Sequence, residues 1–286
     1  MKTLANWNGS EMPLDEVRVP ALDRGFLFGD AVYEVLRVSG GRLWRVDDHM
    51  QRLARGLQEL SINFSVDVVK ERVHGTLTSS GESEAIVYIQ ISRGAGARRF
   101  HHFPEDAVPN CLIYVEHFDD PAEPLRIEGA KAITARDVRW QRNDLKVTSL
   151  LANCMAASEA QRQGCLEAVM LRDGVVTEGS RTSVFGVKGG KVLVAPNGPA
   201  VLPGITKRHV VDLCTRNNIP MIEQRISEAE LFELDELFLT GTTIQVVPII
   251  ALDEKPVGTG KVGPVVKQVQ EAFNQSVRDW LSKAAV

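Results

Sequence analysis

The chain is broken near its middle by a stretch that no helix or strand interior tolerates. Asp119-Asp120-Pro121-Ala122-Glu123-Pro124 sets two prolines among three acidic residues. Proline fixes φ and removes a backbone donor, so this stretch predicts a linker over 120–125. On either side stand a smaller N-terminal domain, 1–119, and a larger C-terminal domain, 126–286. Each is long enough to bury a core of its own.

Within the first half, period-2 alternation predicts strands over 31–38, 43–46, 84–92 and 110–117, with Gly40-Gly41 as a hairpin turn. A helix over 47–60, capped by Asp47-Asp48, puts Met50, Leu53, Leu57 and Leu60 on one face, and a second helix fits 66–78. The second half reads as strands over 131–136, 167–171, 183–188, 236–240 and 245–252. Helices there run from a Ser149 cap to about 163, over 206–217, and over 262–283. Strands and helices do not alternate as βαβ units, so the fold class is α+β rather than a doubly wound sheet.

Several chemistries drop out early. Net charge is −4, from 33 Lys and Arg against 37 Asp and Glu, without the basic excess of a nucleic-acid binder. The four cysteines form no CxxC pair, and each lies in an apolar stretch, which predicts buried free thiols in a reducing cytoplasm. The first residues lack the apolar run of a signal peptide. Ile244 to Leu252 is about half the ~20 residues that a membrane span needs, so no membrane partner is expected. There is no GxGxxG, P-loop, HExxH or GxSxG, and no histidine pair at metal spacing.

Other residues do carry chemistry. Lys146 stands between Leu145 and Val147. Partial desolvation of such a lysine frees its amine as a nucleophile able to form a Schiff base with an aldehyde. In isolation it would read as a snorkelling surface lysine. Glu178, in Thr177-Glu178-Gly179-Ser180, is read as an acid at a turn between apolar strands, either simply solvated or paired with a protonated pyridine nitrogen. Leu202-Pro203-Gly204-Ile205-Thr206 leads into a helix, where free amides bind phosphate; the bland alternative is a turn with a Thr cap. Thr240-Gly241-Thr242-Thr243 is a second such candidate, and Arg52 on the first long helix adds a bidentate cation.

In this order, the segments resemble the fold-type IV pyridoxal-phosphate aminotransferases. That group holds D-amino-acid, branched-chain and (R)-amine aminotransferases and aminodeoxychorismate lyase, and the D-amino-acid branch is nearest. The resemblance spans nearly the whole chain. It rests on Asp23-Arg24-Gly25-Phe26-Leu27-Phe28-Gly29-Asp30-Ala31-Val32-Tyr33-Glu34-Val35, on Asp137-Val138-Arg139-Trp140 through Lys146, and on Glu167-Ala168. Thr177-Glu178-Gly179-Ser180, Gly204-Ile205-Thr206, Asp235-Glu236-Leu237-Phe238 and the Thr240–Thr243 run complete it.

The resemblance implies a two-domain fold, with a smaller N-terminal α/β sandwich and a larger C-terminal β-barrel-like domain carrying helices. It implies a homodimer with the active site at the interface, and pyridoxal 5′-phosphate as cofactor with no metal. Lys146 would carry the cofactor as a Schiff base and shuttle the proton, and Glu178 would pair with the pyridinium nitrogen. Arg52, Ile205, Thr206 and Thr242 would hold the phosphate. Tyr33, an Arg-x-His triplet and Thr243 would receive the substrate, the triplet trapping its α-carboxylate. Here the loop is one residue longer than the family pattern: counting back from His101 gives Arg99, counting forward from Arg93 gives Arg98. The implied reaction moves an amino group from a D-amino acid to a 2-oxo acid. An (R)-selective amine transaminase or dual-specificity enzyme is the alternative that the loop leaves open. Branched-chain aminotransferase and aminodeoxychorismate lyase rank below it, and a non-enzymatic cofactor-binding protein ranks last.

Overall fold

Alternating burial along Ala31–Ser39 shows how the first sheet is built: Val32, Leu36 and Val38 point into a core while Tyr33, Val35 and Arg37 point away. The structure, a computed structural model, describes residues 3–283. It divides into two compact units. One comprises the chain up to Asp119 together with Leu145–Leu150, the other Asp120–Asp144 and the chain from Leu151 on.

The first unit contains β1 (Leu4–Trp7), β2 (Ser10–Pro13), α1 (Arg24–Phe28), β3 (Ala31–Ser39) and β4 (Arg42–Leu43). The helices α2 (Val46–Glu59) and α3 (Val66–Ser80) follow, then β5 (Ala85–Ser92) and β6 (Asn110–His117). All strands pair antiparallel in the order β2-β1-β6-β5-β3-β4. Gly40 and Gly41 both take positive φ, as the tight β3–β4 turn requires. The strand expected over 43–46 stops at Leu43, because Arg45 turns left-handed and α2 starts at Val46. Asp47 and Asp48 therefore lie in the first helical turn, where they oppose the helix dipole, rather than capping it. Met50, Leu53 and Leu57 of α2 join the core over β3, and Val69 of α3 joins the same core over β6 and β1.

The second unit contains α4 (Glu123–Glu128), β7 (Ala130–Arg136), α5 (Leu151–Arg162), β8 (Glu167–Arg172), β9 (Val175–Gly179), β10 (Ser183–Lys188) and β11 (Lys191–Val194). Next come α6 (Ile205–Arg216), β12 (Met221–Glu223), α7 (Glu228–Leu231), β13 (Glu236–Gly241), β14 (Gln245–Leu252), β15 (Lys255–Pro256) and α8 (Pro264–Ser282). The mixed sheet runs β12-β11-β10-β13-β14-β7-β8-β9, with β15 on β14. Five interstrand steps separate β10 from β9 along this path, about 24 Å if the sheet were flat. Yet only three residues join Gly179 to Ser183, a span of at most about 14 Å. The sheet must curl so that its β9 edge returns beside β10. Fold class α+β holds, with a curled, half-barrel sheet in the larger unit.

Two further local expectations fail. Pro124 does not break α4, because it sits in the first turn, where its missing N–H has no intrahelical partner to lose. The cysteines are all free, but only Cys111 and Cys214 are buried, whereas Cys154 is exposed on α5.

Candidate active site

In the first unit, Leu145–Leu150 lies along β3. Tyr33 N donates to Lys146 O at 3.0 Å, Thr148 N donates to Ala31 O at 3.1 Å, and Val32 bridges Val147. Side chains of an extended segment alternate. Leu145 and Val147 enter the core, so Lys146 turns the other way and is half-buried. Its Nζ stands 4.1 Å from the Tyr33 ring centroid, without a hydrogen-bond or ion-pair partner among the described residues. Thr148 Oγ1 and Ser149 Oγ both donate to Gly29 O, at 3.2 and 3.3 Å. Ser149, expected to cap a helix, instead seats the lysine segment against Gly29. That glycine has φ +67°, and a Cβ there would run into the Ser149 hydroxyl.

The other face of β3 presents Glu34, fully buried in phase with Val32 and Leu36. Its Oε1 accepts from Arg52 Nε at 2.7 Å, and its Oε2 accepts from Arg52 Nη2 at 2.8 Å and contacts His49 Nδ1 at 2.8 Å. Burial alone would raise the Glu34 carboxyl, but the Arg52 guanidinium outweighs it and holds the group well below the usual carboxylate range. Burial pushes the His49 imidazole down, against the pull of Glu34.

Arg98, Arg99 and His101 lie in the exposed loop between β5 and β6. Arg24 fixes this loop by donating to Phe100 O at 2.7 Å and to His101 O at 3.2 Å. Arg24 and Arg93 share Asp30 Oδ2, each Nε at 2.8 Å. Arg99 Cζ lies 4.9 Å from the Phe28 ring centroid, and the His101 ring meets the same phenyl edge-on at 5.8 Å. The Arg98 side chain has no partner among the described residues. Arg99 and His101 thus converge on one aromatic, and Arg98 does not.

In the second unit, Glu178 lies within β9 and is 5% exposed, not at a solvated turn as its neighbouring glycine suggested. Oε1 accepts from Arg139 Nη1 at 2.5 Å and Oε2 from Leu202 N at 3.0 Å. Arg139 is itself held by Asp137, with Nε to Oδ1 at 3.0 Å and Nη2 to Oδ2 at 2.8 Å. Burial pushes the Glu178 carboxyl up, and the Arg139 guanidinium opposes that rise. For Asp137 the balance reverses. Burial raises it, but hydrogen bonds from Arg139 bring it down to about 2.

The Leu202 amide ties Glu178 to the segment that opens α6. Gly204 caps that helix without any side-chain cap, so its first-turn amides, Ile205 and Thr206 among them, stay open to an anion. A Cβ on Gly204 would press on Ser183 Oγ at 2.8 Å. Ser183 pairs in register with Thr240, whose buried hydroxyl has no hydrogen-bond partner among the described residues, and Gly241, Thr242 and Thr243 follow directly. The two phosphate-type candidates therefore meet at one end of the β10–β13 pair. Lys207, next in α6, is turned away and donates to Ala195 O at 2.7 Å and Asn197 Oδ1 at 2.9 Å.

Sequence reasoning gave no role to Glu34, His49 or Arg139. An acid in phase with the apolar positions of β3 was a readable signal for Glu34. Arg139 reaches Glu178 across 39 positions, a pairing that no local pattern reveals.

The donors present suit one cofactor. In the second unit, open helix amides with threonine hydroxyls suit a phosphate and a buried carboxylate suits a protonated ring nitrogen; in the first, an amine without a hydrogen-bond or ion-pair partner among the described residues suits an aldehyde. Pyridoxal 5′-phosphate has all three ends. Among the described residues no group of His, Cys, Asp or Glu could hold a metal ion.

With that fold and these residues, the chain belongs to the class IV aminotransferases: the family model for amino-transferase class IV matches residues 31–252. It is 35% identical to a D-alanine aminotransferase of Bacillus licheniformis over 97% of both chains. It is 34% identical to a D-alanine aminotransferase of Staphylococcus aureus strain MSSA476, over 94% of this chain and 96% of that one. Among solved structures it resembles a T.th. branched-chain amino acid aminotransferase complexed with N-(5′-phosphopyridoxyl)-L-glutamate. The TM-score is 0.86 at 24% identity, covering 97% of this chain and 94% of that one. At that identity the likeness concerns the fold. The protein is an aminotransferase, and the cofactor of its class is pyridoxal 5′-phosphate.

Proposed function

We propose that this protein transfers the amino group of a D-amino acid, such as D-alanine or D-glutamate, to a 2-oxo acid, such as 2-oxoglutarate or pyruvate, in a ping-pong reaction. Substrate handedness is supported by the two relatives named D-alanine aminotransferase. The observation that carries the chemistry is the Lys146 amine, which has no hydrogen-bond or ion-pair partner among the described residues and is fixed over Tyr33 by two core side chains on the same segment.

Bound pyridoxal phosphate supplies an aldehyde for the amine and a ring that accepts the electron pair left by the α-proton. Lys146 would hold that aldehyde through its amine and would take the substrate α-proton at Nζ. Glu178 would hold a proton on the ring nitrogen, and Arg139, bonded to Glu178 Oε1, opposes the upward push of burial on that carboxyl. Ile205 and Thr206 at the head of α6, Thr242 and Arg52 are the groups that would hold the phosphate. Tyr33, Thr243, Arg99 and His101 receive the substrate, Arg99 being favoured over Arg98 by its convergence with His101 on Phe28. We also infer a homodimer, supported by exposed Phe26 and Phe103 in the first unit and Leu151 and Met155 in the second. We place it in the cytoplasm, where its free thiols stay reduced.

The test is a half-reaction without acceptor. D-Alanine should bleach the visible absorbance of the holoenzyme and release pyruvate, while L-alanine and L-leucine leave the band intact. Bleaching by L-leucine but not by D-alanine would move the assignment to branched-chain substrates. Arg99→Ala should raise KM for D-alanine by about tenfold or more, the scale of one charge-assisted hydrogen bond, without raising KM for (R)-1-phenylethylamine. Equal effects on both donors would take the role from Arg99.

A further inference from the structure

Glu34 is a charge on a core face. A buried ion pair is often no more stabilising than apolar side chains of the same volume, so packing alone does not account for it. Its geometry is fully determined. The carboxylate grips Arg52 through a two-pronged fork, Nε to Oε1 at 2.7 Å and Nη2 to Oε2 at 2.8 Å, which sets both the plane and the direction of the guanidinium. His49 adds a third bond to Oε2 at 2.8 Å and so prevents the carboxylate from rotating. Because the carboxylate is ionised, the imidazole Nδ1 carries the proton and donates it. His49 and Arg52 stand three positions apart on α2, hence on one face of that helix, and both reach back to a single strand residue.

We propose that Glu34, itself locked by His49, is a positioning residue that aims the Arg52 guanidinium at the phosphate of the cofactor. The inference rests on the phosphate role given to Arg52 above. It goes further by making phosphate recognition depend on a buried strand residue that does not touch the phosphate.

The experiment titrates the full chain, stripped of cofactor, with pyridoxal phosphate and separately with pyridoxal. Pyridoxal has the same ring and aldehyde but no phosphate, so the ratio of the two Kd values isolates phosphate recognition. Wild type should favour pyridoxal phosphate strongly, and Arg52→Met should cut that ratio. Glu34→Gln should cut it by about tenfold, the scale of a lost charge-assisted contact, and the double variant should show little further loss. A purely structural role would lower the melting temperature or weaken both ligands equally, and an unchanged ratio would overturn the proposal. If Glu34→Gln does not fold, Glu34→Asp keeps the charge but shortens the reach and should produce the same fall. Failure of both variants to fold would make the group structural and end the proposal. A wild-type protein without preference for the phosphorylated ligand, or an Arg52→Met variant with an unchanged ratio, would instead remove the phosphate role of Arg52, which is a separate failure.

Discussion

Lys146→Ala removes the visible absorbance of the lysine-bound cofactor and lowers turnover roughly 10⁴-fold, the upper end of what a positioned acid–base group contributes. The structure makes this a clean substitution. Leu145 and Val147, not Lys146, fill the core, and the backbone amides and carbonyls of this segment hold it to β3. The melting temperature of the protein without cofactor should therefore stay close to that of the wild type. Lys146 also has no hydrogen-bond or ion-pair partner among the described residues, so no buried group is left unsatisfied. Spectrum, turnover and thermal unfolding together check the expectation. A variant that keeps its band and its rate would take the nucleophile's role away from Lys146.

Glu178→Gln should keep cofactor bound and slow D-alanine turnover by about 10² to 10³, the usual consequence of losing one pre-organised electrostatic contact. Glutamine preserves the volume and can still accept the Leu202 amide, now made to Glu178 Oε2 at 3.0 Å. Arg139 would not become an uncompensated buried cation, because Asp137 still binds it through Nε and Nη2. The loss should therefore appear in kcat far more than in stability. Stopped-flow measurement of α-deuterated and normal D-alanine checks this directly: a slowed proton step shows a larger isotope effect in the variant. An unchanged rate would disprove the assignment of Glu178 to the ring nitrogen.

Much of this was readable because period and chemistry agreed. β6, β10 and β14 lie at their expected positions, since alternating or continuous apolar runs end at clear turn residues. Lys146 was legible because two apolar neighbours announced which way it would not point. Other parts were hidden for specific reasons. β9 is short, follows an Asp173-Gly174 turn and is nearly all buried, so Glu178 looked like a turn acid when it is a strand residue. α4 was masked by Pro124, which is harmless only at the first turn. Ser149 had the right chemistry for a helix cap but found a carbonyl 120 positions away. The charge pairs that hold Glu178 and Arg52 join residues distant in sequence, and nothing in the order of letters says which acid meets which base.

The six residues from Leu145 to Leu150 have a consequence for how this molecule comes into being. They complete the hydrophobic interior of a unit whose other strands are all translated before residue 120. During synthesis, that interior must wait for Val147 to emerge from the ribosome before its packing can close. A gene cut at the proline-rich break would yield an amino-terminal fragment lacking both Lys146 and two of the side chains that seal its core. Recombination that exchanged the halves of two such genes would have to match this borrowed segment to its host sheet.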